Sequence, residues 1–184
     1  MSRIGKLPIT LPQGVTVEIK ESEVTVSGPK GKLSRRFHPD LTITKQENTL
    51  TVTRPNDTPR YRALHGLTRS LLANMVTGVT KGFQKDLEVV GVGYRAAMAG
   101  SKLTLRVGYS HQIDVSPLPG VTLSVEGANK IRVTGADKET VGQMANDIRA
   151  IKPADSFKGK GIKYAGQIIH LKAGKTGKAI GGKA

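Results

Sequence analysis

Leu41-Thr-Ile-Thr44, followed across a Glu47-Asn48 turn by Leu50-Thr-Val-Thr53, is the stretch whose pattern decides the fold. Apolar and hydroxyl-bearing residues alternate in both halves, the signature of strands with one face buried. About eighty residues later the design returns as Val121-Thr-Leu-Ser124 and Ile131-Arg-Val-Thr134. The residues after each hairpin correspond too. Thr58 can cap a helix with Pro59 in its first position, and Leu64, Leu67, Leu71, Met75 and Val79 then recur on one predicted face, with Gly82 as the stop. Asp137 can cap a second helix whose predicted buried face is Val141, Met144, Ile148 and Ile151, ended by Pro153. At the same offset Asp57 meets Asp137, Leu64 meets Met144, Arg69 meets Arg149 and Leu71 meets Ile151. The pattern is that of a duplicated module.

Working outward, Val15, Val17 and Ile19 alternate with polar residues, as do Val24 and Val26, and Gly28-Pro-Lys-Gly31 marks a turn. In the second half Val89, Leu103, Leu105, Val107, Ile113 and Val115 read as strands punctuated by Gly91, Gly93, Gly100 and Gly108. The expected class is therefore α+β: two tandem similar domains, each an antiparallel β-sheet packed against a helix. The predicted division is 1–82 and 83–184, the second including a basic, Gly/Lys-rich C-terminal segment over 153–184.

The chain has 184 residues with 29 Lys+Arg against 14 Asp+Glu, a formal charge of +15. Such an excess repels itself in a compact state, so it points to a polyanion that neutralises it. The excess is uneven: residues 1–82 are net +7, 83–152 net +2, and 153–184 alone net +6. In that last segment the positives are all lysines, among them Lys158, Lys160, Lys163, Lys172, Lys175 and Lys178, interspersed with glycines such as Gly159 and Gly161. Lysine supplies a mobile point charge and glycine a backbone that can approach a phosphate, a combination suited to backbone contact without sequence readout. A solvated, disordered tail is the plain alternative.

Other classes fit less well. No apolar run approaches the roughly 18–20 residues of a spanning helix, and Met1-Ser-Arg-Ile-Gly-Lys-Leu-Pro has Lys6 and Pro8 where a signal peptide is apolar. A cytoplasmic protein with no membrane partner is expected. The absence of cysteine excludes disulfides, thiolate metal sites and thiol nucleophiles. Only 4% of residues are aromatic, which argues against stacked bases as the main mode of recognition. His38, His65, His111 and His170 lack metal-ligand spacing, and His65 is expected at the rim of the first helix. Neither a metal nor a cofactor is expected, nor a small-molecule substrate.

Gly91-Val-Gly-Tyr-Arg-Ala96 begins like a dinucleotide fingerprint but lacks its third glycine and opens no helix, so glycines serving a bulge or tight packing are the better reading. Arg95 and nearby amides could still hold phosphate. Gly108-Tyr-Ser-His111 places Tyr109, Ser110 and His111 in a row at a strand end. Neighbouring side chains on a strand point to opposite faces, so Ser110 and His111 form no catalytic dyad. A structural turn and an RNA contact are both open here. An enzyme with a glycine-loop phosphate site would need a polar cluster that the sequence does not offer.

Pro153-Ala-Asp-Ser-Phe-Lys-Gly-Lys-Gly-Ile-Lys-Tyr164, continuing to Lys172-Ala-Gly-Lys-Thr-Gly-Lys178, resembles the signature of the sixth-protein family of the large ribosomal subunit (the L-six family). Ser2-Arg-Ile-Gly-Lys6 with Gly14-Val15, the Gly91–Ala96 motif and Leu103–His111 resemble it as well. Phe157 stands where the family usually has tyrosine. The resemblance implies two tandem α+β domains, no enzymatic activity and no cofactor. It implies direct binding of 23S ribosomal RNA near the stalk base and the sarcin–ricin loop, beside neighbouring large-subunit proteins and the site where elongation factors act. It carries RNA contact to Lys158, Lys160, Lys163 and Tyr164, and to Lys172, Lys175 and Lys178. A nucleic-acid chaperone or architectural DNA-binding protein is the alternative that charge alone allows.

Overall fold

The computed structural model describes residues 4–174. Its backbone divides into two compact units, one holding the residues up to Phe83 with Gly135–Glu139, the other Gln84–Thr134 with the residues from Thr140 onward.

The first unit runs β1 (Ile9–Thr10), β2 (Thr16–Lys20), β3 (Glu23–Gly28), β4 (Gly31–Arg36), β5 (Thr42–Gln46), β6 (Thr49–Thr53) and α1 (Pro59–Thr80). Its strands form two antiparallel sheets, ordered β2-β3-β4 and β1-β6-β5. Two of the three two-residue hairpin loops carry a left-handed residue, Glu21 at φ 50° and Glu47 at φ 46°, which matches the right-handed twist of the strands they join. The alternating residues converge on one core, where Val24, Val26, Leu50, Leu72 and Val79 are fully buried.

Helix α1 occupies its predicted span but is rotated from its predicted face. His65, Thr68, Leu72, Met75, Val76 and Val79 are buried, Leu64 and Leu71 only partly, and Leu67 is exposed. His65 is a polar residue on the buried face. It lies at 3% exposure instead of at a rim, with Val52 O at 2.8 Å from Nε2 and Arg54 Nη1 at 2.9 Å from Nδ1. A carbonyl can only accept and a guanidinium can only donate, so the ring carries its hydrogen on Nε2. Two satisfied hydrogen bonds make a polar ring acceptable inside. Thr58 holds the cap position of α1 without a side-chain cap bond; its hydroxyl donates to Asn56 Oδ1 at 2.9 Å.

The second unit follows the same plan: β7 (Phe83–Val90), β8 (Arg95–Ala99), β9 (Lys102–Arg106), β10 (Ile113–Val115), β11 (Val121–Glu126), β12 (Lys130–Gly135), α2 (Lys138–Ile151) and β13 (Gly161–Tyr164). The sheets are ordered β10-β9-β8 and β11-β12-β7-β13. Asp137 caps α2, accepting from the Glu139 amide at 3.1 Å, and Val141, Met144, Ala145 and Ile148 are its buried residues. The class is the expected α+β, with the strands of each unit spread over two sheets. Among the described residues no helix is long and apolar enough to cross a membrane.

Strand β13 changes the reading of the C-terminal segment. Residues 161–164 are an integral edge strand, antiparallel to β7 with Ile162 opposite Val89 and Lys163 opposite Glu88. Ile162 is fully buried. On its other side it is held by Lys152, whose carbonyl accepts from the Ile162 amide at 2.7 Å. Gly161 is required by this packing: at φ 141°, a Cβ there would lie 2.5 Å from the Pro153 carbonyl oxygen.

A cation-rich face built on the second unit

Register sorts the β7–β13 pair into two faces. Leu87 and Val89 with Ile162 and Tyr164 lie on one, and Glu88 and Val90 with Gly161 and Lys163 lie on the other. On the first, the Tyr164 ring receives Arg149 of α2 at 5.3 Å and Lys85 at 5.8 Å from its centroid, distances at which a cation is attracted to a ring face. On the second, Lys163 pairs with Glu88 at 3.2 Å and donates to the Gln167 carbonyl at 3.3 Å.

The loop before β13 is closed by its own hydrogen bonds. Asp155 Oδ2 accepts from the Lys158 amide at 3.1 Å, the Asp155 carbonyl from Gly159 at 2.9 Å, and the Lys160 carbonyl from the Asp155 amide at 2.9 Å. Gly159 supplies the left-handed turn at φ 69°. The carboxylate in this loop accepts from the Lys158 amide, and among the described residues the exposed Lys158 and Lys160 form no ion pair. The chain returns to the loop where the Lys172 amide donates to Ser156 O at 2.8 Å, which places the exposed Lys172 beside them. Lys175 and Lys178 lie outside the described residues.

The two glycine motifs meet over one ring. Gly91 and Tyr94 close a turn between β7 and β8, the Tyr94 amide donating to Gly91 O at 3.2 Å. A Cβ on Gly91 would come 3.0 Å from the Tyr94 ring, and one on Gly108 would come 2.8 Å from its hydroxyl. Both glycines make room for Tyr94, so the packing reading holds, at a turn instead of inside a strand. The Tyr109–His111 stretch is the loop after β9. Tyr109 donates to the Ile151 carbonyl at the end of α2 (2.9 Å), stacks on His111 (6.1 Å between centroids) and carries Lys152 over its ring at 4.9 Å. Ser110 and His111 line an open depression with Arg106.

Arg106 is a residue that sequence reasoning missed. Strand register sets it directly opposite Arg95, and both are exposed. Two like charges facing each other across a ladder destabilise a sheet; an anion between them would relieve it. Arg149 and Lys152 were missed for a similar reason, since their pairing with rings on other elements is visible only in three dimensions. Elsewhere on the unit the carboxylates are engaged: Arg132 joins Asp86 and Glu126, and Asp114 accepts from Thr104. The cations outnumber what is left to neutralise them. Among the described residues no cluster of His, Asp or Glu is placed to hold a metal ion.

The fold and site define a duplicated α+β protein whose second copy carries exposed cations that form no ion pair among the described residues. The particular family is equally plain. The chain belongs to the ribosomal protein L6 family, whose model matches it twice, over residues 11–82 and 90–165. It is 55% identical over 183 residues to the large ribosomal subunit protein uL6 of Moorella thermoacetica, covering all of both chains. It is 58% identical over 178 residues to the protein of that name from Geobacillus stearothermophilus, covering 97% of this chain and 100% of the relative.

Proposed function

We propose that this chain is a structural, non-enzymatic constituent of the large ribosomal subunit in the cytoplasm and that its second unit binds 23S ribosomal RNA directly. The supporting observation is the set Lys158, Lys160 and Lys172, exposed around one ordered loop whose only carboxylate accepts from the Lys158 backbone amide. The Arg95–Arg106 pair and the Ser110–His111 loop extend the contact. In this reading 1–82 and 83–184 act as the two domains, and 153–184 supplies the RNA-binding segment. The docking position is near the stalk base and the sarcin–ricin loop, beside neighbouring subunit proteins and within reach of elongation factors. Bound there, the protein stabilises the tertiary structure of the RNA.

Each lysine that neutralises a phosphate steepens the salt dependence of binding by roughly 0.7–0.9 log units. Replacing Lys158, Lys160 and Lys172 by alanine should flatten the slope for a large-subunit RNA transcript by about 2–3 units with melting unchanged. An unaltered slope would remove this segment from the interface. Equal competition by duplex DNA would favour the architectural-protein alternative, and absence from large subunits in a sucrose gradient would defeat the ribosomal assignment.

A further inference from the structure

On the face of the sheet that carries Glu88 and Lys163, the chain after β13 folds back to form an open groove. Its walls include Val90, Ile168 and Leu171, with Lys158 at the same opening and the Glu88–Lys163 pair in its lining. Ile168 is 81% exposed and Leu171 61%. Leu171 is not loosely placed: its Cδ2 stands 3.5 Å from where a Cβ on Gly159 would be, and the neighbouring Lys172 amide is bonded to Ser156. The apolar walls and the lysine loop are thus one construction.

Three chemistries could occupy such a groove, and the lining separates them. A lone phosphate would meet Lys158 but leave the apolar walls of Val90, Ile168 and Leu171 uncovered. An apolar protein side chain would leave Lys158 facing a partner with nothing to neutralise it. An unpaired nucleotide suits all the groups at once: its phosphate meets Lys158, its flat base lies against Val90, Ile168 and Leu171, and an exocyclic amine on the base donates to Glu88. Aliphatic walls cover a base face without any aromatic ring, so the scarcity of rings in this chain is no obstacle. We infer that this groove holds one unpaired nucleotide of the bound RNA and that it prefers amine-bearing bases over uracil. Uracil offers a carboxylate only an imino N–H flanked by two repelling carbonyl oxygens.

This inference rests on the RNA-binding reading above, and its test separates the two. The double variant Ile168→Ser/Leu171→Ser of the full chain should bind a 23S transcript about 5–10-fold more weakly, with an unchanged salt slope because no charge is lost. Ile168→Leu/Leu171→Ile, which keeps the walls apolar, should bind like the parent. If the parent itself ignores the transcript, the RNA-binding reading fails. If the parent binds and the serine variant binds equally well, only the nucleotide site is overturned. The base preference is read from the Ile168 methyl resonance, which cytidine, adenosine and guanosine 5′-monophosphates should shift further than uridine 5′-monophosphate. Equal shifts from all four would refute the role given to Glu88.

Discussion

At the scale of the residue, His65 is a polar ring held on the buried face of a helix. Its two bonds tie α1 to β6 and to Arg54, and Gly5 lies so close that a Cβ there would fall 2.4 Å from Nδ1. His65→Ala should cost about 2–4 kcal/mol, from the cavity and from the loss of the bonds to Arg54 Nη1 and the Val52 carbonyl; chemical denaturation measures it. Gly5→Ala should also destabilise, by about 1–3 kcal/mol, through overpacking. Arg54 also grips Asp57, donating to Oδ1 from Nε at 2.8 Å. That hydrogen bond first, and the charge of the same guanidinium second, hold the Asp57 carboxyl below its ordinary value. A carboxyl lowered in the folded state stabilises fully above the unfolded value and loses that contribution as pH falls through the folded one. A carbon-detected titration should show the Asp57 midpoint rising toward the ordinary aspartate value when Arg54 is replaced by Gln.

At the scale of the element, the two helices start differently although the module is duplicated. Asp137 makes a side-chain cap bond and Thr58 does not. Asp137→Ala should therefore cost about 1 kcal/mol and Thr58→Ala under about 0.5 kcal/mol, measured by thermal melting. The strand β13 offers a sharper contrast. Gly161→Ala should displace the strand, because the clashing atoms are backbone, and should lower both stability and RNA binding. Lys163→Ala should cost about 1 kcal/mol by leaving half-buried Glu88 unpaired, yet change the salt slope less than Lys158→Ala does. Here the sequence reading was partly blind. Period-two alternation exposed the strands of both hairpins, but Gly161-Ile-Lys-Tyr164 is too short and too close to glycine and lysine to announce a strand. Its apolar signal is one residue, Ile162. The rotation of α1 was hidden for the opposite reason, since leucines at helical spacing outweighed a histidine whose acceptability inside depends on partners far along the chain.

At the scale of the whole molecule, duplication was legible because it repeats a pattern, and the family model matching twice agrees with it. The two copies have since diverged on their surfaces. In the first, the outward positions of the β5–β6 hairpin are uncharged: Thr42 opposite Thr53, Thr44 opposite Thr51, Gln46 opposite Thr49. In the second, the sheet containing the matching hairpin bears Glu126, Arg132 and Asp86 in one ion-paired group. Net charge pointed to the kind of partner from composition alone, and the lysines of 158–172 were in view from the start. The Arg95–Arg106 apposition was not, because cross-strand register is a property of the folded sheet. Removing that repulsion with Arg106→Gln should stabilise the free protein slightly, by about 0.2–1 kcal/mol, while weakening RNA binding; melting and filter binding on one preparation would show both.

The pairing of β13 with β7 has a consequence for biosynthesis. β7 leaves the translating ribosome first and waits, one side unmatched, while every other strand of its unit is made. Only when Tyr164 has emerged can the sheet close and the lysine-bearing loop take its shape. A chain broken off earlier lacks the strand that covers the open side of β7.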